Sequence, residues 1–268
     1  MCRCLEVSAS GYYRWLGRGE SSRAIRRKRV TERVKDTFEA FRARYGAPRI
    51  ARELLDAGIP CSTNYIAGIM HNEHIRARNG KGFRYSRPVE SKVNVAANLL
   101  KRCFQVDRPN RRWTSDINYI WVRDRWLYLA VVMDLYSRRI VGWALDVQMT
   151  EELTQRALKM ALMGRESKPG LIVHSDRGVQ YRAQGYQDLL LANGCRASMS
   201  RQANCWDNAA MDSFFSRLKV ELVYTGSFDS IDQAKSELFE YIEVFYNRIR
   251  RHSTLGYISP EEYERKCA

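Results

Sequence analysis

Between residues 112 and 146 apolar and polar positions alternate, or run apolar throughout, in three short stretches. RWTSDINYIWV at about 112–122, a second stretch at 126–134 and a third at 139–146 therefore predict three strands. Arg123-Asp124-Arg125 lies in the first turn and Tyr136-Ser137-Arg138 in the second, so neighbouring strands should pair antiparallel. After these the period lengthens. Leu153, Ala157, Met160 and Ala161 mark one face of a helix at about 150–163, followed by a strand from Leu171 to Ser175. A helix at about 183–193, a strand from Arg196 to Ser200, and a helix within WDNAAMDSFFSRLKVEL come next. Met211, Phe214, Leu218 and Leu222 form the buried stripe of that helix. Ile231, Ala234, Leu238, Tyr241, Ile242 and Phe245 predict another over 230–250, and Ser259-Pro260-Glu261-Glu262 opens a capped final helix.

The N-terminal part has helical spacing only. In residues 8–45, Ile25, Val30, Val34, Phe38 and Phe41 suggest one helix face, with Ser21 or Ser22 as its cap. The run Arg26-Arg27-Lys28 lies on this helix, where it is either a phosphate contact or a solvated charged face. Pro48 suits the start of a second helix with Ile50, Leu54 and Leu55 apolar, and Gly58 suits its stop. Ser62 or Thr63 can cap a third helix, whose Ile66, Ile69 and Met70 would face the second. Two helices joined by a short Gly-containing turn match the helix-turn-helix plan, in which the second helix enters the major groove of DNA. Asn64, Tyr65, Gly68 and Asn72 would then point outward. Residues 75–110 hold nine Lys or Arg with Gly, Pro and Ser, and a short helical patch near Val95–Phe104. That stretch is a backbone-tracking segment or a solvated tether.

Charge separates the two parts. Residues 1–112 carry 25 Lys and Arg against 10 Asp and Glu, which accounts for the whole net charge of +15, and the remainder balances at 20 of each. A basic region beside a balanced domain is the footprint of a phosphate-binding unit next to an enzymatic one. No apolar run approaches the ~18 residues of a membrane helix, and the start lacks the apolar core of a signal peptide. The odd count of 7 cysteines fits a reducing compartment better than a disulfide framework. The expected location is the cytoplasm, at the nucleoid when bound to DNA. A zinc set from Cys61, His71, His74 and Cys103 has no usual ligand spacing.

Three acids carry the candidate chemistry. Asp116 lies in the first strand, Asp176 directly follows the apolar run LIVHS, and Asp212 lies on the helix with the Met211 stripe. Short carboxylates from two strands and a helix can converge to hold divalent ions, and oxygen ligands suit Mg²⁺ or Mn²⁺. His174 shares a strand face with Asp176, so it either supports the site or is structural. Asn208 and Lys219 are four before and seven after Asp212, on nearly the same face of its helix. Asp134 can instead cap its turn, and Asp207 a helix start.

Thirty-five residues separate Asp176 from Asp212, an interval that resembles the last two acids of DDE transposases and retroviral integrases. HSDRGVQY, SRQANCWDNAAMDSFFSRLK, VVMDLYSRRIVGWAL and YNRIRRHSTLGYISPEEY resemble, more narrowly, the OrfB-type transposases of the insertion sequence 3 family, and the opening MCRCLEVSASGYYRW resembles the start of that family's second reading frame. The resemblance implies a ribonuclease H-like catalytic core, a mixed five-stranded sheet with helices, preceded by an all-α helix-turn-helix region. The order of strands and helices read above agrees, and that fold implies that the first and fourth strands lie side by side, which would bring Asp116 and Asp176 together.

The expected divisions are a basic helical arm over 1–45, the helix-turn-helix over 46–78, a basic linker over 79–108, the core over 109–225 and a helical extension over 226–268. The resemblance further implies a Mg²⁺-dependent DNA strand transferase that cuts element ends and joins 3′-hydroxyls to DNA. Its partners would be double-stranded terminal inverted repeats and target DNA, further copies of the chain, and an upstream-frame fusion or partner. Integrases similarly have a DNA-contacting lysine at the Lys219 position. The family usually has Glu where Asp212 stands, and Asp reaches about 1.5 Å less far. This leaves open a working Asp or a damaged site, and with the latter a DNA-binding regulator of transposition. A hydrolysis-only nuclease of the same fold is the other alternative. Glu221, nine residues on, turns to the far side of the helix.

Overall fold

The computed structural model describes residues 8–78, 96–100, 106–166, 168–201 and 208–267. The chain divides into two compact units, residues 1–78 and 79–268. Asp207, Cys103 and half of the patch expected near Val95–Phe104 lie outside the described residues, and the described part of that patch, residues 96–100, is not helical.

In the first unit, α1 (Ala9–Leu16) is capped by Ser8 and buries none of its side chains. α2 (Ser22–Ala40) is capped by Ser21, whose hydroxyl accepts from the Ala24 amide at 3.2 Å. α3 (Ala47–Asp56) has Pro48 in its first turn, where a missing N–H costs nothing. α4 (Thr63–Asn72) is capped by Ser62 rather than Thr63. Gly58 closes α3 at φ +76°, a left-handed conformation that favours glycine. Val30 and Val34 of α2 are buried with Ile50 and Leu54 of α3 and Ile66 and Ile69 of α4, and Lys35 pairs with Glu73 at 2.6 Å. Ile25, expected on the buried face of α2, is instead 55% exposed. Asn64, Tyr65, Gly68 and Asn72 all lie on the exposed side of α4.

The second unit is built on β1 (Arg112–Val122), β2 (Arg125–Asp134), β3 (Ile140–Asp146), β4 (Ile172–Ser175) and β5 (Arg196–Met199) in the order β3-β2-β1-β4-β5. β1–β2 and β2–β3 pair antiparallel, and β1–β4 and β4–β5 pair parallel. α5 (Glu151–Gly164) packs Leu153, Ala157, Leu158 and Ala161 against Trp113, Ala130 and Val132. It crosses β3 at Gly142 so closely that a Cβ there would lie 2.2 Å from the Ala157 carbonyl oxygen. Only glycine permits that approach.

The helix expected at 183–193 is α7 (Gln184–Ala192), and a further short helix, α6 (Val179–Arg182), precedes it, set apart by Ala183 with an extended ψ of 144°. α8 (Ala209–Glu221) carries Asp212 and buries Met211, Phe214 and Leu218 as its stripe predicts. The helix expected over 230–250 begins as α9 (Ile231–Phe239) and widens into a π-helical stretch from Glu240 to Ile249. There Asn247 exchanges two hydrogen bonds with the Ile140 backbone, at 2.9 and 3.0 Å, and so satisfies the start of the edge strand. α10 (Pro260–Cys267) returns to the core through Glu264, which accepts from Ser137 at 2.6 Å and pairs with Arg139 and Arg165.

Candidate active site

Strand register brings the first two acids to one level. β1 and β4 run parallel with Thr114 opposite His174, where their pairing ends. Asp116 and Asp176 each lie two residues further on, so they leave the sheet side by side on one face. Asp116 is half-buried, and one of its carboxylate oxygens accepts from the Ile117 amide at 2.8 Å. Asp176 stands at the rim, and its Oδ1 accepts from the Gly178 amide at 2.8 Å. A Cβ at position 178 would lie 2.9 Å from that same oxygen, so glycine lets the carboxylate fold back on the turn.

The third acid arrives on α8. Thr114 donates to the Asn208 side-chain oxygen at 2.5 Å, which ties the start of α8 to β1 two residues from Asp116. Asp212 lies one turn further along, exposed, in the first turn of the helix, where the helix dipole favours negative charge. Glu221 is on the other side, buried in a two-pronged pair with Arg250 at 2.7 and 2.9 Å and accepting from Tyr241 at 2.9 Å.

Electrostatics registers the convergence. Asp116 holds its proton well above the ordinary value of 3.8, first because of burial, then because of the charge of Asp176, with a smaller push from Asp212. The Ile117 amide and Lys219 pull the other way. Asp176 is reached by solvent but has enough protein around its carboxyl to raise it, opposed by the Gly178 amide and Arg182. Burial pushes Lys219 down, and Asp116 partly offsets that. The Lys219 ammonium lies 5.0 Å from the centre of the Tyr119 ring.

Among the other residues singled out from sequence, His174 is fully buried, with its ring nitrogens 2.8 Å from Ser198 Oγ and 3.1 Å from Ser200 Oγ of the β5 region. Asp134 closes a turn by accepting from the Tyr136 and Asn110 amides at 2.9 and 2.8 Å. Sequence reasoning overlooked Tyr181, whose hydroxyl lies 3.1 Å from Ser115 Oγ and whose pKa is raised by burial and then by the Asp116 charge. It also overlooked Arg182 beside Asp176. Both lie in the stretch HSDRGVQYR, five and six residues past Asp176, and a helical turn there would have returned them to the site. Among the described residues no group of three or more His, Cys, Asp or Glu closes around one ion position. Asp116 feels the charge of both other acids, Asp176 more than Asp212, and carboxylate oxygens suit Mg²⁺, an ion commonly held by one or two carboxylates with waters completing its shell.

A five-stranded mixed sheet of this order with acids at the β1/β4 junction and on the following helix is a ribonuclease H-like core of the integrase type, here with a helix-turn-helix unit before it. Residues 106–205 match one integrase core domain family and residues 212–267 a second, while residues 26–82 match an HTH-like domain. The fold is similar to a chain in the simian T-cell lymphotropic virus intasome structure, with a TM-score of 0.50 at 14% identity, over 82% of this chain and 70% of that one. The chain is 40% identical over 271 residues to transposase InsF for insertion sequence IS3A of Escherichia coli (strain K12), covering 99% of this chain and 93% of that one. It is likewise 40% identical over 266 residues to the 31 kDa protein of insertion element IS600 from Shigella sonnei, covering 99% and 98%. The chain belongs to the DDE transposases of the IS3 family and is a DNA-cutting and DNA-joining enzyme.

Proposed function

We propose that Asp116, Asp176 and Asp212 are the catalytic acids and that together they would hold the Mg²⁺ (or Mn²⁺) the reaction uses. The observation that carries this is the strand register that sets Asp116 and Asp176 each two residues past the Thr114–His174 pair, with the start of α8 tied to Thr114 through Asn208. When bound, such ions would activate the attacking oxygen and stabilise the leaving one in phosphoryl transfer. The chain's own residues fix the geometry. The Asn208–Thr114 bond holds α8 against β1, the Gly178 amide orients Asp176, and Lys219 lies where it can meet a phosphate of the DNA end. Water first opens a phosphodiester at the element end and leaves a 3′-hydroxyl. That hydroxyl then attacks a second phosphodiester in line, expelling its 3′-oxygen. Arg26, Arg27 and Lys28 would contact backbone phosphates, and Asn64 and Tyr65 on the outer side of α4 would meet the groove. Copies of the chain would assemble on the paired ends.

The test is cleavage and joining on the element's own ends. Asp116→Asn should remove both activities by at least about a thousandfold, since a metal ligand is lost, while DNA affinity stays within about twofold. Asp212→Glu, which restores the longer side chain, should match or exceed the wild type. Full activity in Asp212→Ala would remove the third acid from the site.

A further inference from the structure

Beyond Asp116, β1 and β2 run on to their turn without β4, whose pairing with β1 stops at Thr114. Three large aromatic side chains stand out from this projecting ribbon, Tyr119 at 54% exposure, Trp121 at 50% and Trp126 at 44%. They form a cluster. The Trp126 ring centre lies 5.0 Å from Tyr119 and 4.8 Å from Trp121, both edge to face. The hairpin does not need them for its core, because Ile120, Val122 and Leu127 are the side chains it buries. By strand alternation Tyr119 and Trp121 face the other side of β1 from Asp116, but Lys219 covers the Tyr119 ring at 5.0 Å and its charge also reaches Asp116, so one cation links the cluster to the acid site. Arg123 and Arg125 flank the turn at its tip.

The geometry points to a stacking platform for unpaired nucleotides at a DNA end, built from Tyr119, Trp121 and Trp126, with Lys219 at the adjoining phosphate. Three rings about half exposed offer roughly 300 Å². That falls short of the ~800 Å² per partner of a stable protein interface, yet it suffices for one or two bases. Aromatic faces beside cations take single-stranded nucleic acid with little regard to sequence, because every base has a π-face. At ~3.4 Å per strand residue, Tyr119 and Trp121 lie about 10 and 17 Å along β1 from Asp116. This is the span of about three to five nucleotides at duplex rise. Bases frayed near the reacting phosphate would be held there, lowering the cost of opening the end. The inference rests on the three-acid reading for which end of the sheet meets DNA.

Two duplexes of one sequence, one blunt and one ending in three unpaired thymidines on one strand, are titrated against the full chain without divalent metal. The wild type should prefer the forked duplex by about tenfold. Trp121→Ala and Trp126→Ala should each bring that preference close to unity while keeping affinity for the blunt duplex, and Trp126→Phe should retain it. Asp116→Asn should keep the preference whether or not it cleaves, so failure of the platform and failure of the acid site are read separately. Equal affinity of the wild type for both duplexes, or a preference that survives both alanine variants, overturns the proposal. So does altered self-association in sedimentation of the alanine variants with the fork preference intact.

Discussion

The raised carboxyl of Asp116 has a consequence for stability without metal. Its folded pKa lies above the ordinary 3.8, so above that pH the native state binds more protons than the unfolded chain. Stability then falls as pH rises through this window, until Asp116 is fully ionised. Asp116→Asn removes the penalised charge. In metal-free buffer at neutral pH it should raise the melting temperature by about 2–4 °C, for a gain on the order of 1 kcal/mol. The gain should vanish below the ordinary carboxylate range, where both side chains are neutral. Added Mg²⁺ should stabilise the wild type and leave Asp116→Asn nearly unmoved, and thermal scans across pH with and without metal check both statements. The elements that carry the proposed acids were legible in the sequence, with Asp116 inside β1, Asp176 just past β4 and Asp212 in the first turn of α8. Thr114 with Asn208, and Tyr181 with Ser115, were not, because both contacts depend on a register between segments 94 and 66 residues apart that no local pattern encodes.

Individual elements were legible where burial follows a clean pattern and obscured where a side chain overrides the period. α8 announces itself by its buried stripe, and β2 by a continuous apolar run buried on both faces. The π-helical stretch does not, because its extra width is set by what it must hold. Tyr241, Ile242, Phe245, Tyr246 and Asn247 are all buried there, more than one face of an α-helix would place inward. It ends at Arg250, whose pair with Glu221 is buried, both side chains being 3% exposed. Burial alone would lower the arginine's pKa, but the Glu221 carboxylate holds it above the ordinary value. Removing one partner leaves an uncompensated buried charge, so Glu221→Ala should cost about 3–5 kcal/mol of unfolding free energy in denaturant titration. A joint Glu221→Gln, Arg250→Met change should cost markedly less, because neither charge is then stranded. Glu221 thus fixes the back of α8 while Asp212 occupies its front.

Over the whole molecule, charge and chemistry are divided along the chain. The entire excess of +15 lies in residues 1–112, whereas the part that holds the acids is balanced. A basic N-terminal part supplies the sequence-independent attraction to phosphate. Arg26, Arg27 and Lys28 are exposed on α2, yet they are not equivalent. Arg26 donates to the Pro60 carbonyl at 3.4 Å and Lys28 pairs with Glu20, so each must give up a partner to meet a phosphate. Neutralising a phosphate releases condensed counterions, and the slope of log affinity against log salt reports the number of contacts. Replacing all three by Gln in the full chain should flatten that slope by about 0.9 per lost contact, hence by up to about 2.7. Among single variants, Arg27→Gln should flatten it more than Lys28→Gln, because the lysine already gives part of its charge to Glu20. Affinity should fall alike on every duplex sequence, since phosphate contacts carry no base information. A slope unchanged in the triple variant would move the DNA-binding face of this unit away from the start of α2.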